Sequence, residues 1–124
     1  MILNVTTDVK FPLFVLADDR SMCLIESPDR LLYHLEAIDI ENGEYLFWDS
    51  TGAGVCVTVA HGALNQIVLC DHAMSLAEAF EAYARSYGLQ IPLGESPFEI
   101  WTSLQSQLPP RKTLWARLFH KSKA

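Results

Sequence analysis

The side chains best suited to chemistry in this chain are Cys70, Asp71 and His72, with His61 nine residues before Cys70. In an extended strand Cys70 and His72 project from one face, and a hairpin would bring His61 near them. A thiolate and two imidazoles are good zinc ligands. A closed zinc site nevertheless needs further ligands, and no Cys-x-x-Cys or His-x₃-His pair supplies them. Gly52-Ala53-Gly54 has no lysine behind it and runs into strand-forming residues, so it reads as a turn rather than a phosphate cradle. Asp49-Ser50 and Asp71-His72 each lack the further partner of a nucleophilic triad. His34 falls on a helix flank. These residues point away from an enzyme, and no cofactor is expected.

A second constellation is acidic. Asn42-Gly43 separates residues 37–41, where Ile38 and Ile40 alternate with polar positions, from residues 44–48. Asn-Gly between two such runs predicts a hairpin with a type I′ turn. In that register Glu41 faces Glu44 and Ala37 faces Trp48. Ile38, Ile40, Tyr45 and Phe47 then share the core side, leaving Asp39, Glu41, Glu44, Leu46 and Trp48 on the other. A tryptophan bordered by three carboxylates is a candidate partner-binding surface, because tryptophan is enriched at interface hot spots. The alternative is that a C-terminal helix covers Trp48 and Leu46, with only the carboxylates in water.

The third constellation is basic. Residues 1–100 hold all 15 acidic side chains and four bases, Lys10, Arg20, Arg30 and Arg85, for a net −11. Residues 101–124 hold Arg111, Lys112, Arg117, Lys121 and Lys123 and no acid. Leu114, Trp115, Leu118 and Phe119 fall on one arc of a helix expected at about 111–121. Such a basic amphipathic helix would suit an anionic membrane or an acidic groove. It would equally pack on its own acidic body, which the two bulky hydrophobes per turn favour.

The elements that must position these groups fit one domain. The chain has 124 residues, 50% hydrophobic and 19% charged, which suits a single core rather than two. Residues 11–17 and 21–25 are strand-like on either side of Asp18-Asp19-Arg20 and predict a hairpin. Ser27-Pro28-Asp29 opens a helix running to about Glu36. Val55, Val57 and Val59 alternate with smaller or polar residues, and residues 64–70 follow His61-Gly62 as another strand. Ser75 and Glu78 form a capping box ahead of the stripe Leu76, Phe80, Tyr83, Ala84 and Tyr87, which Gly88 terminates. Ser96-Pro97 opens a helix with Ile100, Trp101 and Leu104 inward. Strands first and helices mostly last predict an α+β fold: a largely antiparallel sheet of five to six strands, covered on one face by C-terminal helices.

The net charge of −6 and pI near 5.0 argue against a nucleic-acid partner. Cys23, Cys56 and Cys70 are odd in number and widely spaced, which reads as free apolar thiols rather than a secreted disulfide framework. No run approaches the ~20 apolar residues of a membrane span, so a cytoplasmic location is expected and a membrane is not. The function these features suggest is a small acidic non-enzymatic interaction module. An inhibitor or immunity-type protein that binds a basic partner through Asp39, Glu41, Glu44 and Trp48 has this charge and size. One alternative is an adaptor using the basic residues Arg111, Lys112, Arg117 and Lys121. The other is a metal protein or enzyme around His61, Cys70 and His72. An open strand edge or Trp48 would also suit a homodimer.

Overall fold

A computed structural model describes residues 4–5 and 8–109 of the chain. In order, the elements are β1 (Asn4–Val5), β2 (Leu13–Ala17), β3 (Met22–Ile25), α1 (Pro28–His34), α2 (Ala37–Glu41), β4 (Tyr45–Trp48), β5 (Gly54–Ala60), β6 (Ala63–Leu69), α3 (Leu76–Tyr87) and α4 (Pro97–Ser106). The strands form one sheet in the order β1-β6-β5-β4-β2-β3. β2 to β6 pair antiparallel, and only the two-residue β1 lies parallel, on β6. The architecture is α+β in a single domain.

β2 lies between β3 and β4 and is almost wholly buried, as its unbroken run Leu13-Phe14-Val15-Leu16 requires. A strand apolar on both faces must be covered on both. The sheet meets that demand with helices on each side, not on one. Phe14, Leu16, Met22 and Trp48 pack with α3 and α4 through Phe80, Tyr83, Trp101 and Leu104. Leu13, Val15, Ile25, Phe47, Val55 and Ile67 pack with Leu31 and Leu35 of the α1 region and Ile40 of α2.

The expected hairpin over residues 37–48 is the main correction. Residues 37–41 form the helix α2, and Asn42 caps it at φ −80°. A type I′ turn needs positive φ at both central residues, so this value excludes it. Gly43 alone is left-handed, at φ +73°. Its N–H donates to the Ile40 carbonyl and the Glu44 N–H donates to the Asp39 carbonyl, at 3.0 and 3.1 Å. That pair of bonds is a Schellman termination, for which Asn-Gly is equally suited. A helical turn places Ile40 inward and Ile38 outward, and Ile38 is 57% exposed. The cross-strand pairs Glu41 with Glu44 and Ala37 with Trp48 therefore do not exist.

Elsewhere local chemistry and structure agree. β2 and β3 form the expected hairpin, with Leu13 opposite Ile25 and Leu16 opposite Met22. Both reciprocal capping boxes are made, Ser75 with Glu78 and Ser96 with Glu99, and Gly88 ends α3 at φ +68°. Ser27 opens α1 in extended conformation without a side-chain capping bond. The helix expected at 111–121 lies outside the described residues.

Candidate functional site

At one end of the sheet two acidic turns meet. Pairing of β2 with β4 sets Ala17 opposite Tyr45, so the turn that begins at Asp18 lies beside the start of β4. The Schellman cap of α2 holds Asp39 and Glu44 together from the other side. Partial burial, followed by the carboxylates of Asp39 and Asp18, pushes the Glu44 pKa above its ordinary value. Tyr45 beside it is also pushed up, by burial first and then by Asp39, so its phenol stays protonated. Glu41 is exposed on the last turn of α2. Three of the four residues expected at a partner surface, Asp39, Glu41 and Glu44, thus remain at one place, joined by Asp18.

The fourth does not. Trp48 is 1% exposed and belongs to the core beneath α3. Its Nε1–H donates to the Met74 carbonyl at 3.2 Å, just before that helix begins. Covering by a C-terminal helix, the alternative weighed for Trp48 and Leu46, is what the fold adopts. The apolar group exposed beside the carboxylates is instead Ile38. Tyr33 of α1 is 73% exposed and has the Arg30 guanidinium 5.1 Å from its ring centroid. Ile38 was obscured in the sequence by the strand-like alternation of 37–41. A helix continued from Leu31 and Leu35 would also turn Ile38 inward; it faces out because the chain is extended at Leu35 and Glu36 and restarts as α2.

The metal-ligand reading separates into its parts. His61 sits in the β5–β6 turn, at the opposite end of the hairpin from Cys70. Cys70 is joined to Cys56 by a disulfide, with a Cα–Cα distance of 5.8 Å, which corrects the expectation of free thiols at both positions. Cys23 carries no disulfide. His72 Nε2 lies 3.0 Å from the Phe47 carbonyl and 3.1 Å from the Val55 carbonyl. Two acceptors at that range require a hydrogen on Nε2, so the ring donates there and ties β4 to β5. Among the described residues no group of three or more His, Cys, Asp or Glu side chains is arranged to hold a metal ion.

Asp49, considered in the sequence only as half of a dyad, is a structural carboxylate. It is 1% exposed. Oδ1 accepts from the Thr51 N–H at 2.9 Å, the Thr51 hydroxyl at 2.6 Å and the Ala53 N–H at 3.1 Å. Oδ2 accepts from the Lys10 N–H at 3.1 Å. Burial alone would raise its pKa; the bonds from Thr51, Lys10 and Ala53 outweigh burial and the net displacement is downward. Asp-Ser-Thr-Gly carries the signature of an Asx turn, the signal by which the sequence announces this role.

A groove of about 330 Å³ between the β2–β3 turn and α3 is lined by Arg20, Met74, Glu78, Glu81 and Arg85. Its charged lining is two arginines and two glutamates, and Glu78 is already engaged by the Ser75 N–H. Ser86 and Ala82 complete the lining. Arg111, Lys112, Arg117 and Lys121 lie outside the described residues. Among the described residues no helix is long and apolar enough to cross a membrane. In comparisons with known proteins, no family model, curated protein or solved structure matches the chain.

Proposed function

We propose that this chain is a small non-enzymatic interaction module that binds a basic protein, in the manner of an inhibitor or immunity protein. What carries the reading is the acidic end of the sheet, where Ile38 stands 57% exposed on the same short helix as Asp39 and Glu41, with Glu44 one turn beyond. An apolar anchor within a carboxylate rim suits a partner that presents arginine or lysine around an apolar pocket. The charges would speed encounter and select the partner, and Ile38 would supply desolvated contact. Trp48 has no part in it.

The location we propose is the cytoplasm. There the glutathione and thioredoxin pools oppose lasting disulfides, so the Cys56–Cys70 bond would be a redox-dependent one.

The test is capture from native lysate at low and high salt, with wild type, Asp39→Asn/Glu41→Gln/Glu44→Gln and Ile38→Ser as baits. A basic protein held by wild type at low salt, released at high salt and lost by both variants supports the reading. Equal retention by wild type and the triple variant removes this surface from consideration.

A further inference from the structure

We infer that the Cys56–Cys70 bond is a reversible thiol–disulfide switch that sets how firmly the connector between β6 and α3 is fastened to the sheet. Three observations converge on it. First, the bond lies outside the apolar core. Cys56 and Cys70 are half-buried and belong to neither apolar cluster, and no side chain of β5 or β6 is part of the cluster beneath α3 and α4. Second, the sheet has other means of holding these strands together, since β5 and β6 are paired from Val55–Leu69 to Ala60–Ala63. The sulfur bridge adds its constraint at the end of that ladder, where the chain leaves for α3.

Third, the connector is where the fold's polar fastenings gather. The Cys70 N–H donates to the Gly54 carbonyl at 2.9 Å. A Cβ on Gly54 would collide with the Cys70 carbonyl oxygen, so the two backbones touch there. Two residues on, His72 donates to the Phe47 and Val55 carbonyls; two further on, Met74 receives the Trp48 indole N–H. Ser75 then caps α3. A cross-link at Cys70 therefore holds the first of a series of contacts that join sheet, connector and helix.

His72 also sets the direction of the exchange. Its Nε2 lies 3.9 Å from the Cys70 sulfur, and the carbonyl contacts require that this nitrogen carry hydrogen. That hydrogen is shared chiefly with the two carbonyls; where it reaches the Cys70 sulfur it favours Cys70 as the departing thiolate, and a better-stabilised thiolate leaves faster. The reductant is a dithiol. One of its thiolates attacks the Cys56 sulfur, forming a mixed disulfide and expelling Cys70 as thiolate, which takes up a proton. The second thiolate of the reductant then closes on the first, freeing Cys56 and leaving the reductant as its own disulfide. The protein gains two electrons and two protons.

The experiment uses the full chain in native buffer with reduced dithiothreitol, followed by glutathione buffers of graded composition. Thiols are trapped by alkylation and mapped, and amide hydrogen exchange is followed in both states. The switch predicts complete reduction without denaturant and at least ten-fold faster exchange over residues 70–76. Exchange over residues 13–25 should stay unchanged, and oxidised glutathione should restore the original pattern. Cys56→Ser/Cys70→Ser should show the fast pattern without reductant; should that variant fail to fold, the dithiothreitol experiment on wild type still decides. Reduction that proceeds only at the rate of global unfolding, or that unfolds the whole chain, or that leaves residues 70–76 unchanged, overturns the switch. Glutathione trapped on Cys70 rather than Cys56 overturns the assigned direction.

Discussion

Replacing Asp49 with alanine removes one acceptor group from four donors: the Lys10, Thr51 and Ala53 N–H groups and the Thr51 hydroxyl. Lys10 and Thr51 are exposed residues, so water can take over much of their hydrogen bonding, whereas Ala53 is half-buried. Counting two charge-assisted bonds as unreplaced, at about 1.5 kcal/mol each, gives a loss of about 3 kcal/mol. Unfolding entropy near 2.1 cal/mol/K per residue converts that to a fall in Tm of roughly 10–12 °C for a domain of this size. Asp49→Asn is the sharper probe. The amide can keep an oxygen toward Thr51 and Ala53, but its NH₂ then opposes the Lys10 N–H, donor against donor, for about 1–2 kcal/mol. The pH dependence follows from the sign of the shift. The folded pKa of Asp49 lies below its ordinary value. Its stabilisation is therefore fully present above the ordinary aspartate pKa and is lost as pH falls through the folded one. Urea unfolding of wild type and Asp49→Asn between neutral and acid pH should show a gap that closes on acidification. Equal stability at neutral pH, or a gap that does not narrow in acid, would refute the role given to this carboxylate.

The α2–β4 junction separates its two residues: Asn42→Ala should change stability by no more than ~0.5 kcal/mol, as a residue at ordinary negative φ allows. Gly43→Ala, at φ +73°, should cost about 1–2 kcal/mol, and equal losses in denaturant titration would reinstate the hairpin turn. Gly54→Ala sets a Cβ against the Cys70 carbonyl, a backbone group that has little room to yield, and should lower stability by about 1–3 kcal/mol; a neutral result would show the close approach to be absent. Glu44→Gln should raise Tm at neutral pH, because the folded state holds the Glu44 proton more tightly than the unfolded chain does. That gain should vanish below the ordinary glutamate pKa, where wild type is protonated too; a gain that persists in acid would have another origin.

Much of the fold was legible because its signals were redundant. The helix at 76–87 is announced by a capping box, an apolar stripe and a terminal glycine; box and glycine are in place, and the stripe is buried from Leu76 to Ala84 but not at Tyr87. The β2–β3 hairpin follows from two apolar runs and an acidic turn. Residues 37–43 carried a signal that serves two structures. Five residues with isoleucine at alternate positions satisfy a strand, and Asn-Gly ends a helix as well as it turns a hairpin. What decides is long-range: β2 is apolar on both faces, so α1 and α2 must cover the side that α3 and α4 leave open. Local periodicity contains no term for that demand. The disulfide was illegible for a related reason, since Cys56 and Cys70 come together only through the register of β5 on β6.

Helix in place of strand at 37–41 also explains why the candidate surface has a different centre. A strand at 37–41 would have sent Ile38 and Ile40 to the core together and set Trp48 outside with the carboxylates. A helix divides the isoleucines, and Trp48 follows β4 into the core under α3. Asp39, Glu41 and Glu44 remain near one another in either fold, because one short turn joins them. The carboxylates therefore define where a basic partner would be drawn, and Ile38 defines what it would have to cover. Glu44 makes the two demands conflict. Burial of its carboxylate, and then its proximity to Asp39 and Asp18, cost the folded chain stability that neutralising it would restore. If the acidic end binds a cationic partner, Glu44→Gln should stabilise the free protein and weaken the complex, with slower association and a flatter salt dependence. A variant that is more stable and binds equally well would show that the charge held at this corner serves no partner.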